Sequence, residues 1–173
     1  PAGLNFVNTA TGEINLATST AGTYTVTNFI AAAGGCAPDT KTDDVTIDAP
    51  PTTSDAGPNQ GLCNVTTTTL AGNTPSVGTG IWTLISGAAT ITAPASPTSG
   101  VTGLVIGATA TLRWTTTNAS CPASTDDVII TSDEVTTVSD AGTDQTFCNI
   151  TTTTLEGNTP AFGTGTLSVI FGT

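Results

Sequence analysis

Carboxylates are the side chains of this sequence whose type and spacing come closest to chemistry. Three adjacent pairs occur, Asp43-Asp44, Asp126-Asp127 and Asp133-Glu134. Neighbouring residues on a strand point to opposite faces, so the two carboxylates of a pair cannot share a proton as a catalytic dyad does. Such pairs are typical of solvated strand ends and linkers, where charge discourages the pairing of sheet edges.

Calcium binding is the alternative use of these acids, because calcium prefers hard oxygen ligands. The candidate ligands are Asp55, Asp126, Asp127 and Asp140. The sequence contains no EF-hand or nonapeptide calcium motif. We therefore expect no resident cofactor, with calcium at these four residues as the alternative.

Four cysteines predict an oxidising compartment. Pairing of Cys63 with Cys121 would close a long loop and stabilise the fold by about 4 kcal/mol in the chain-entropy model. Cys36 and Cys148 would then pair with cysteines outside this chain. One alternative pairs Cys36 with Cys63 and Cys121 with Cys148, each across a predicted junction between repeats, and the other is that the four cysteines are free structural thiols. A zinc site is not expected, since there is no Cys-x-x-Cys motif and no histidine.

Charge and composition exclude several functions. The net charge is −11, and Lys41 and Arg113 are the only basic side chains, so binding to nucleic acid or to anionic membranes is not expected. No apolar run approaches the length of about 18 residues that predicts a membrane-spanning helix. Without histidine, Ser-His-Asp and Cys-His catalysis is excluded. No Gly-rich run between a strand and a helix predicts phosphate binding. We expect no enzyme.

An internal repeat with a period of about 85 residues organises the chain as a tandem array. Residues 54–85 and 139–170 are identical at 20 of 32 aligned positions, including Ser-Asp-Ala-Gly, Thr-Thr-Thr-Thr-Leu and Gly-Asn-Thr-Pro. The first 50 residues fit the same period less closely. Cys36 corresponds to Cys121 in the same register, and Asp43-Asp44-Val45 corresponds to Asp126-Asp127-Val128 with a two-residue shift.

The period divides the chain into three parts. Residues 1–50 are predicted to be the C-terminal half of a diverged repeat, residues 52–135 a complete repeat, and residues 137–173 the N-terminal half of a third. A half repeat cannot close a hydrophobic core by itself. We therefore expect that the polypeptide continues on both sides, or that a neighbouring chain supplies the missing strands by strand addition.

Residues 52–135 carry the pattern of a β-sandwich, namely short strand signals separated by turn residues. The predicted strands are 54–60, 66–72, 80–86, 89–93, 99–104, 109–117 and 126–131. Alternation places Trp82 and Leu84 on one face of the third strand, and Leu112 and Trp114 on one face of the sixth. We predict these four residues in the core. The 42 threonines suit strands, because β-branching favours an extended backbone.

Several motifs resemble the PKD-like, immunoglobulin-fold surface repeats of Bacteroidota. The motifs are Ser54-Asp55-Ala56-Gly57-Pro58-Asn59-Gln60 followed by Cys63, Gly78-Thr79-Gly80-Ile81-Trp82-Thr83, Leu112-Arg113-Trp114 before Cys121, and Ser124-Thr125-Asp126-Asp127-Val128. The resemblance covers nearly the whole chain. It implies tandem β-sandwich repeats, export by the type IX secretion system, and display on the cell surface of a Gram-negative bacterium. It adds no catalytic residue.

The sequence therefore predicts a structural segment of a long extracellular adhesin that mediates attachment or gliding. The partners that the resemblance implies are neighbouring repeats, an external surface or polysaccharide, and the gliding and secretion machinery of the outer membrane. A carbohydrate-binding module is one alternative, and it would need Trp82 or Trp114 exposed for stacking on sugars. A subunit of a self-assembling extracellular filament is another.

Overall fold

β-Strands are the only regular secondary structure in the part of the chain that the structure describes. The computed structural model describes residues 3–170, which contain eleven β-strands and no α-helix. Within that range there is accordingly no helix long and apolar enough to cross a membrane. The composition explains the result, since Thr, Val and Ile favour extended backbone while Gly and Pro interrupt it. The predicted all-β class is confirmed.

The strands, in chain order, are β1 (Phe6–Asn8), β2 (Glu13–Ile14), β3 (Gly22–Ile30), β4 (Asp39–Ile47), β5 (Gln60–Cys63), β6 (Thr68–Thr69), β7 (Thr79–Ser86), β8 (Thr90–Ile91), β9 (Gly100–Thr102), β10 (Ala108–Thr117) and β11 (Ser124–Asp133).

Two sheets form the central unit of the chain. One has four strands in the order β5–β11–β10–β7, in which β5 is parallel to β11 and the other pairs are antiparallel. The other has three antiparallel strands in the order β6–β9–β8. Both sheets contribute to one hydrophobic core. This arrangement is an immunoglobulin-like β-sandwich, as predicted.

Alternation along β10 and β11 builds the core. On β10 the buried residues include Ala110, Leu112 and Trp114, and on β11 they include Val128 and Ile130. Leu112 pairs with Val128, and Ala110 pairs with Ile130, so the apolar faces of the two strands coincide. A one-residue shift of register would move the apolar set of the shifted strand to solvent, and the register is therefore strongly specified.

The first predicted strand differs from the observed one. Residues 54–59 make no regular ladder, and pairing with β11 begins only at Gln60. Pro58 has no N–H to donate, and Gly57 has a positive φ of 78°. Side chains hold this segment instead: Ala56 N–H donates to Asp126 Oδ2 at 2.7 Å, and Ile129 N–H donates to Asn59 Oδ1 at 2.8 Å.

Leu84 does not lie in the core, contrary to the prediction. Its side chain remains 40% exposed, whereas its partner Leu112 is fully buried. Two features explain the difference. β7 is the edge strand of its sheet, and the pairing with β10 shifts register after Leu84, so that Thr111 faces Ser86 and Ile85 is skipped. Alternation predicts which face of a strand a side chain lies on, but it does not predict how deeply that side chain is buried.

The flanking parts of the chain form less structure. Residues 22–47 form one antiparallel hairpin, β3–β4, and β1 pairs with β2. In the described residues after Asp133, up to 170, no strand occurs. The hydrophobic cluster lies wholly between Ala56 and Ile130. Side chains that would be buried in a sandwich are therefore exposed in the flanks, among them Phe29, Leu167 and Val169.

Candidate functional site

The most specific set of polar contacts lies where the chain enters the sandwich. Residues 48–53, here called the linker, run beside the turn between β10 and β11, residues 118–123, here called the hairpin tip. Asn118 Nδ2 donates to the carbonyl of Ala49 at 2.8 Å. Ser120 Oγ donates to Asp48 Oδ2 at 2.7 Å. These side chains fix the β3–β4 segment to one pole of the sandwich.

The thiol of Cys121 completes this contact. Its Sγ lies 3.3 Å from the carbonyl oxygen of Ala49 and 3.7 Å from that of Asp48. The thiol is a weak donor, so these contacts place the sulfur more than they stabilise it. Cys121 is half-buried by the linker. The hairpin tip thus presents a cysteine directly to the preceding segment of the chain.

A buried hydroxyl network follows the linker into the sandwich. Ser54 Oγ donates to the carbonyl of Ser124 at 2.8 Å and lies 3.0 Å from Thr116 Oγ1. Thr116 N–H donates back to Ser54 Oγ at 3.1 Å. Thr116 also donates to the carbonyl of Thr52. Ser54 and Thr116 are both buried, so each of these bonds replaces water that the groups have lost.

Asn73 joins the linker to the core. Its side-chain oxygen accepts the N–H of Asp55 at 3.0 Å and the indole N–H of Trp114 at 3.1 Å. Its Nδ2 donates to the carbonyl of Thr53 at 2.8 Å, and its own N–H donates to the carbonyl of Asp55 at 2.9 Å. These contacts of Asn73 are called the asparagine bracket. They tie an incoming chain with no ladder of its own to a core tryptophan.

The asparagine bracket recurs one repeat period later without a sandwich around it. Asp140 N–H donates to Asn158 Oδ1 at 2.8 Å, and Asn158 Nδ2 donates to the carbonyl of Val138 at 2.9 Å. Asn158 N–H also donates to the carbonyl of Asp140 at 3.0 Å. The bracket is therefore a local motif encoded by Ser-Asp-Ala-Gly and Gly-Asn-Thr-Pro. In the third repeat the given sequence does not reach the positions equivalent to β10 and β11, and no indole reaches Asn158.

The two tryptophans occupy the centre of the core. Trp82 is 2% exposed and Trp114 is fully buried, with ring centroids 5.0 Å apart and planes inclined at 40°. Trp82 Nε1 donates to the carbonyl of Pro97 at 3.1 Å. Gly80 makes this packing feasible, since a Cβ there would overlap the ring of Trp114. Neither indole is available to stack on a sugar.

The four calcium candidates do not converge on one point. Asp55 Oδ1 accepts Gly57 N–H at 2.8 Å, and Asp140 Oδ1 accepts Gly142 N–H at 2.9 Å. Asp126 holds Ala56, on the opposite face from Asp127. Among the residues that the structure describes, no group of three or more acidic, His or Cys side chains is placed to hold a metal ion. These carboxylates cap turns and fix the incoming chain.

Asp127 forms the best-defined ion pair. Arg113 Nε and Nη2 donate to its two oxygens at 2.7 Å and 2.8 Å, across paired strands. The hydrogen bond from Arg113 lowers the pKa of Asp127 below its usual value and, acting the other way, raises the pKa of Arg113. Both side chains are partly exposed, on the outer face of the sheet.

The predicted bridge between Cys63 and Cys121 is wrong for this fold. Cys63 pairs with Asp133 at one end of β11, and Cys121 precedes the other end of β11 at Ser124. The whole length of β11 separates these ends, a span of about 30 Å, whereas a disulfide needs Cα atoms within about 7 Å. All four cysteines are free in the structure.

The alternative pairing also fails on geometry. Cys36 lies in the turn between β3 and β4, at the end of that hairpin remote from the linker. Cys63 lies at the pole of the sandwich remote from the linker. The pair Cys36–Cys63 is therefore separated by the length of a hairpin and the length of a sandwich. By the equivalence of successive repeats, Cys121 and Cys148 belong to opposite poles of successive units.

Sequence reasoning missed the residues that form the contacts around the linker. Asn73, Ser54 and Asp48 carry no catalytic or metal-binding signature. Their signal was recurrence, because an identical residue stands at each equivalent position of the next repeat, namely Asn158, Ser139 and Asp133. Polar residues that recur unchanged in successive repeats indicate a hydrogen-bonding role. Ser120 and Thr116 correspond to Gly35 and Ala31 in the register of Cys36 and Cys121, so recurrence does not mark them.

No protein-family model and no curated protein matches the chain. Among solved structures, the chain is similar to the solution structure of the PKD domain from KIAA 1837 protein, with 23% sequence identity and a TM-score of 0.42. That likeness covers 54% of this chain and 92% of the other.

Proposed function

We propose that the chain is a structural, non-catalytic segment of a long extracellular adhesin built from tandem β-sandwich repeats. The observation that carries the proposal is the linker contact. A hydrogen-bonded hairpin tip joins one segment to the next, and the asparagine bracket that receives the linker recurs at the repeat period. A segment that attaches each unit to its neighbour suits a thread that transmits force.

The surface of the sandwich supports the same role. It is rich in threonine and carries few charges, and Asp127 is held in the pair with Arg113. Such a surface remains hydrated without attracting nucleic acid. Under this proposal the partners of the segment are neighbouring repeats along the thread. An external surface or polysaccharide, and the gliding and secretion machinery of the outer membrane, are contacted by the whole protein.

The resemblance of the sequence motifs to the repeats of the gliding adhesin SprB makes the proposal more specific. On that resemblance we propose that the protein is exported by the type IX system and displayed on the surface of a Gram-negative gliding bacterium. A carbohydrate-binding module has less support, because the burial of Trp82 and Trp114 removes the aromatic surface that it needs. A filament subunit remains the second form of the proposal, and the mass of the intact polypeptide distinguishes it from one long chain.

Labelling of intact cells tests the proposal. Antibodies raised against residues 3–170 are applied to unpermeabilised cells of the source organism. We expect extended surface labelling, and reduced attachment to glass in a strain that lacks the gene. Labelling that appears only after permeabilisation, or attachment that is unchanged by the deletion, would overturn the proposal. A variant that carries Asn73→Ala in each copy of the repeat serves as a control for surface display of a destabilised thread.

A further inference from the structure

Cys121 marks the first pole of the sandwich. Its Sγ lies against the carbonyls of Ala49 and Asp48, and Ser120 and Asn118 hold the hairpin tip in place there. The thiol therefore faces the end of the preceding unit rather than its own core. Within this chain the residues that contact the Cys121 thiol are Ala49 and Asp48, and neither is a cysteine.

Cys63 marks the opposite pole. It is the last residue of β5, and its partner on β11 is Asp133, where the strand ends. Asn64 N–H donates to the carbonyl of Asp133 at 2.8 Å, which fixes this end of β5. Burial alternates along β5, with Leu62 packed on the core and Cys63 exposed. Cys63 thus points outward beside the start of the next linker.

The repeat period relates the two poles. Asp48, which receives the hairpin tip, corresponds to Asp133, which lies beside Cys63. The turn that holds Cys121 also recurs: Cys36 N–H donates to the carbonyl of Ala33 at 3.0 Å, as Cys121 N–H donates to that of Asn118 at 3.0 Å. A following hairpin tip that docks as this one does would bring its cysteine to Asp133.

Asp133 would then be a neighbour of both cysteines. Paired strands lie about 4.8 Å apart, so the Cα of Cys63 lies at about that distance from the Cα of Asp133, and the sulfur of a following hairpin tip would lie against the Asp133 carbonyl as Cys121 lies against that of Asp48. Both thiols would therefore lie beside one residue, which is the proximity that a disulfide needs. The same reasoning excludes every pairing within one unit, because Cys63 and Cys121 mark opposite poles.

We propose that Cys63 forms a disulfide with the cysteine at the Cys121 position of the next repeat, so that each junction of the array carries one covalent link. The inference rests on the proposed tandem array. The two thiols lose two protons and two electrons as one S–S bond forms. The electrons reduce the disulfide of a thiol oxidant, such as a dithiol oxidase or oxidised glutathione, whose bond breaks to give two thiols.

The full chain can be extended to test this proposal. A copy of residues 89–136 is added after Thr173, which completes the third repeat and supplies a second copy of Cys121 at its hairpin tip. The protein is incubated with oxidised glutathione and digested with trypsin without reduction, because cleavage after Arg113 leaves the copied cysteine and Cys121 in peptides of different length. We expect one cross-linked peptide that joins Cys63 to the copied cysteine. Titratable thiols should fall from five to three, since the chain has four cysteines and the copy adds one.

A second extension guards against failure of the first to fold. A copy of residues 52–85 is placed before Pro1, and the copied Cys63 should link to Cys121. Cys63→Ser abolishes the cross-link in the first protein, whereas Cys36→Ser leaves it unchanged. A peptide that links the original Cys63 to the original Cys121 in either protein, or five free thiols in folded monomers of both, would overturn the inference. Folding is judged by tryptophan fluorescence, and a continuous array without the link would still satisfy the proposed function.

Discussion

The indole N–H of Trp114 donates to Asn73 Oδ1 at 3.1 Å, and the N–H of Asp55 donates to the same oxygen at 3.0 Å. One amide therefore couples a fully buried tryptophan to the chain that enters the sandwich. Asn158 makes the equivalent backbone contacts with Asp140 and Val138 but receives no indole. Comparing the two asparagines therefore distinguishes the hydrogen bonds of the local turn, which both make, from the bond to the core tryptophan, which only Asn73 makes.

Asn73→Ala should lower the free energy of unfolding of the sandwich by about 2–4 kcal/mol, because it removes three side-chain bonds and leaves a buried indole N–H without a partner. Urea denaturation followed by tryptophan fluorescence measures this loss, since both tryptophans lie in the core. Asn158→Ala is the matched control. It should leave the midpoint unchanged, and equal losses from the two variants would show that the indole bond has no importance.

Gly80→Ala should destabilise the sandwich by about 3 kcal/mol or more, as overpacking does where neither neighbour can move. The added Cβ would overlap the ring of Trp114, which is closed in by Trp82. Thermal unfolding monitored by near-ultraviolet circular dichroism gives the shift in Tm. Gly165→Ala, whose Cβ would lie 3.5 Å from Pro160, is the control. A Gly80→Ala protein with unchanged Tm would contradict the close packing.

The sequence predicted the parts of this structure that depend on local pattern. Alternation along residues 109–117 places Leu112 and Trp114 inward, because strand periodicity is independent of neighbours. Alternation could not predict at which end of the sandwich each cysteine lies. They depend on the parallel pairing of β5 with β11, a long-range contact that places Cys63 beside Asp133. Leu84 was mispredicted for a similar reason. The burial of its side chain depends on whether a second sheet packs over it, and the sequence of β7 alone does not show that.

Leu84 and Leu112 provide a direct test of that correction. Leu112→Ala should cost about 2–5 kcal/mol, as for a fully buried leucine, whereas Leu84→Ala should cost about 1 kcal/mol because less contact is lost. The two residues are register partners, so the comparison holds residue type and register position constant. Urea midpoints measure both values. Equal losses of stability from the two variants would show that Leu84 is buried in the core after all.

Acid should remove the contribution of the pair between Arg113 and Asp127. The pKa of Asp127 is lowered from its usual value of 3.8 by the hydrogen bond from Arg113, so the folded state holds this carboxylate ionised more firmly than the unfolded state. A depressed pKa stabilises the fold above the unfolded value, and that stabilisation is lost as the pH falls through the folded pKa. The effect is small, because the side chains are 40% and 38% exposed and solvent screens them.

Asp127→Asn should therefore lower Tm slightly at pH 7, and the difference from the parent protein should disappear as the pH falls through the lowered pKa of Asp127. Thermal melts at a series of pH values measure the two curves. Asp39→Asn is the control, since Asp39 lies 3.9 Å from Lys41 and both side chains are highly exposed; it should leave Tm unchanged at every pH. A difference in Tm between Asp127→Asn and the parent protein that persists in acid would mean that the Asp127 side chain stabilises the fold by its packing and not by its charge.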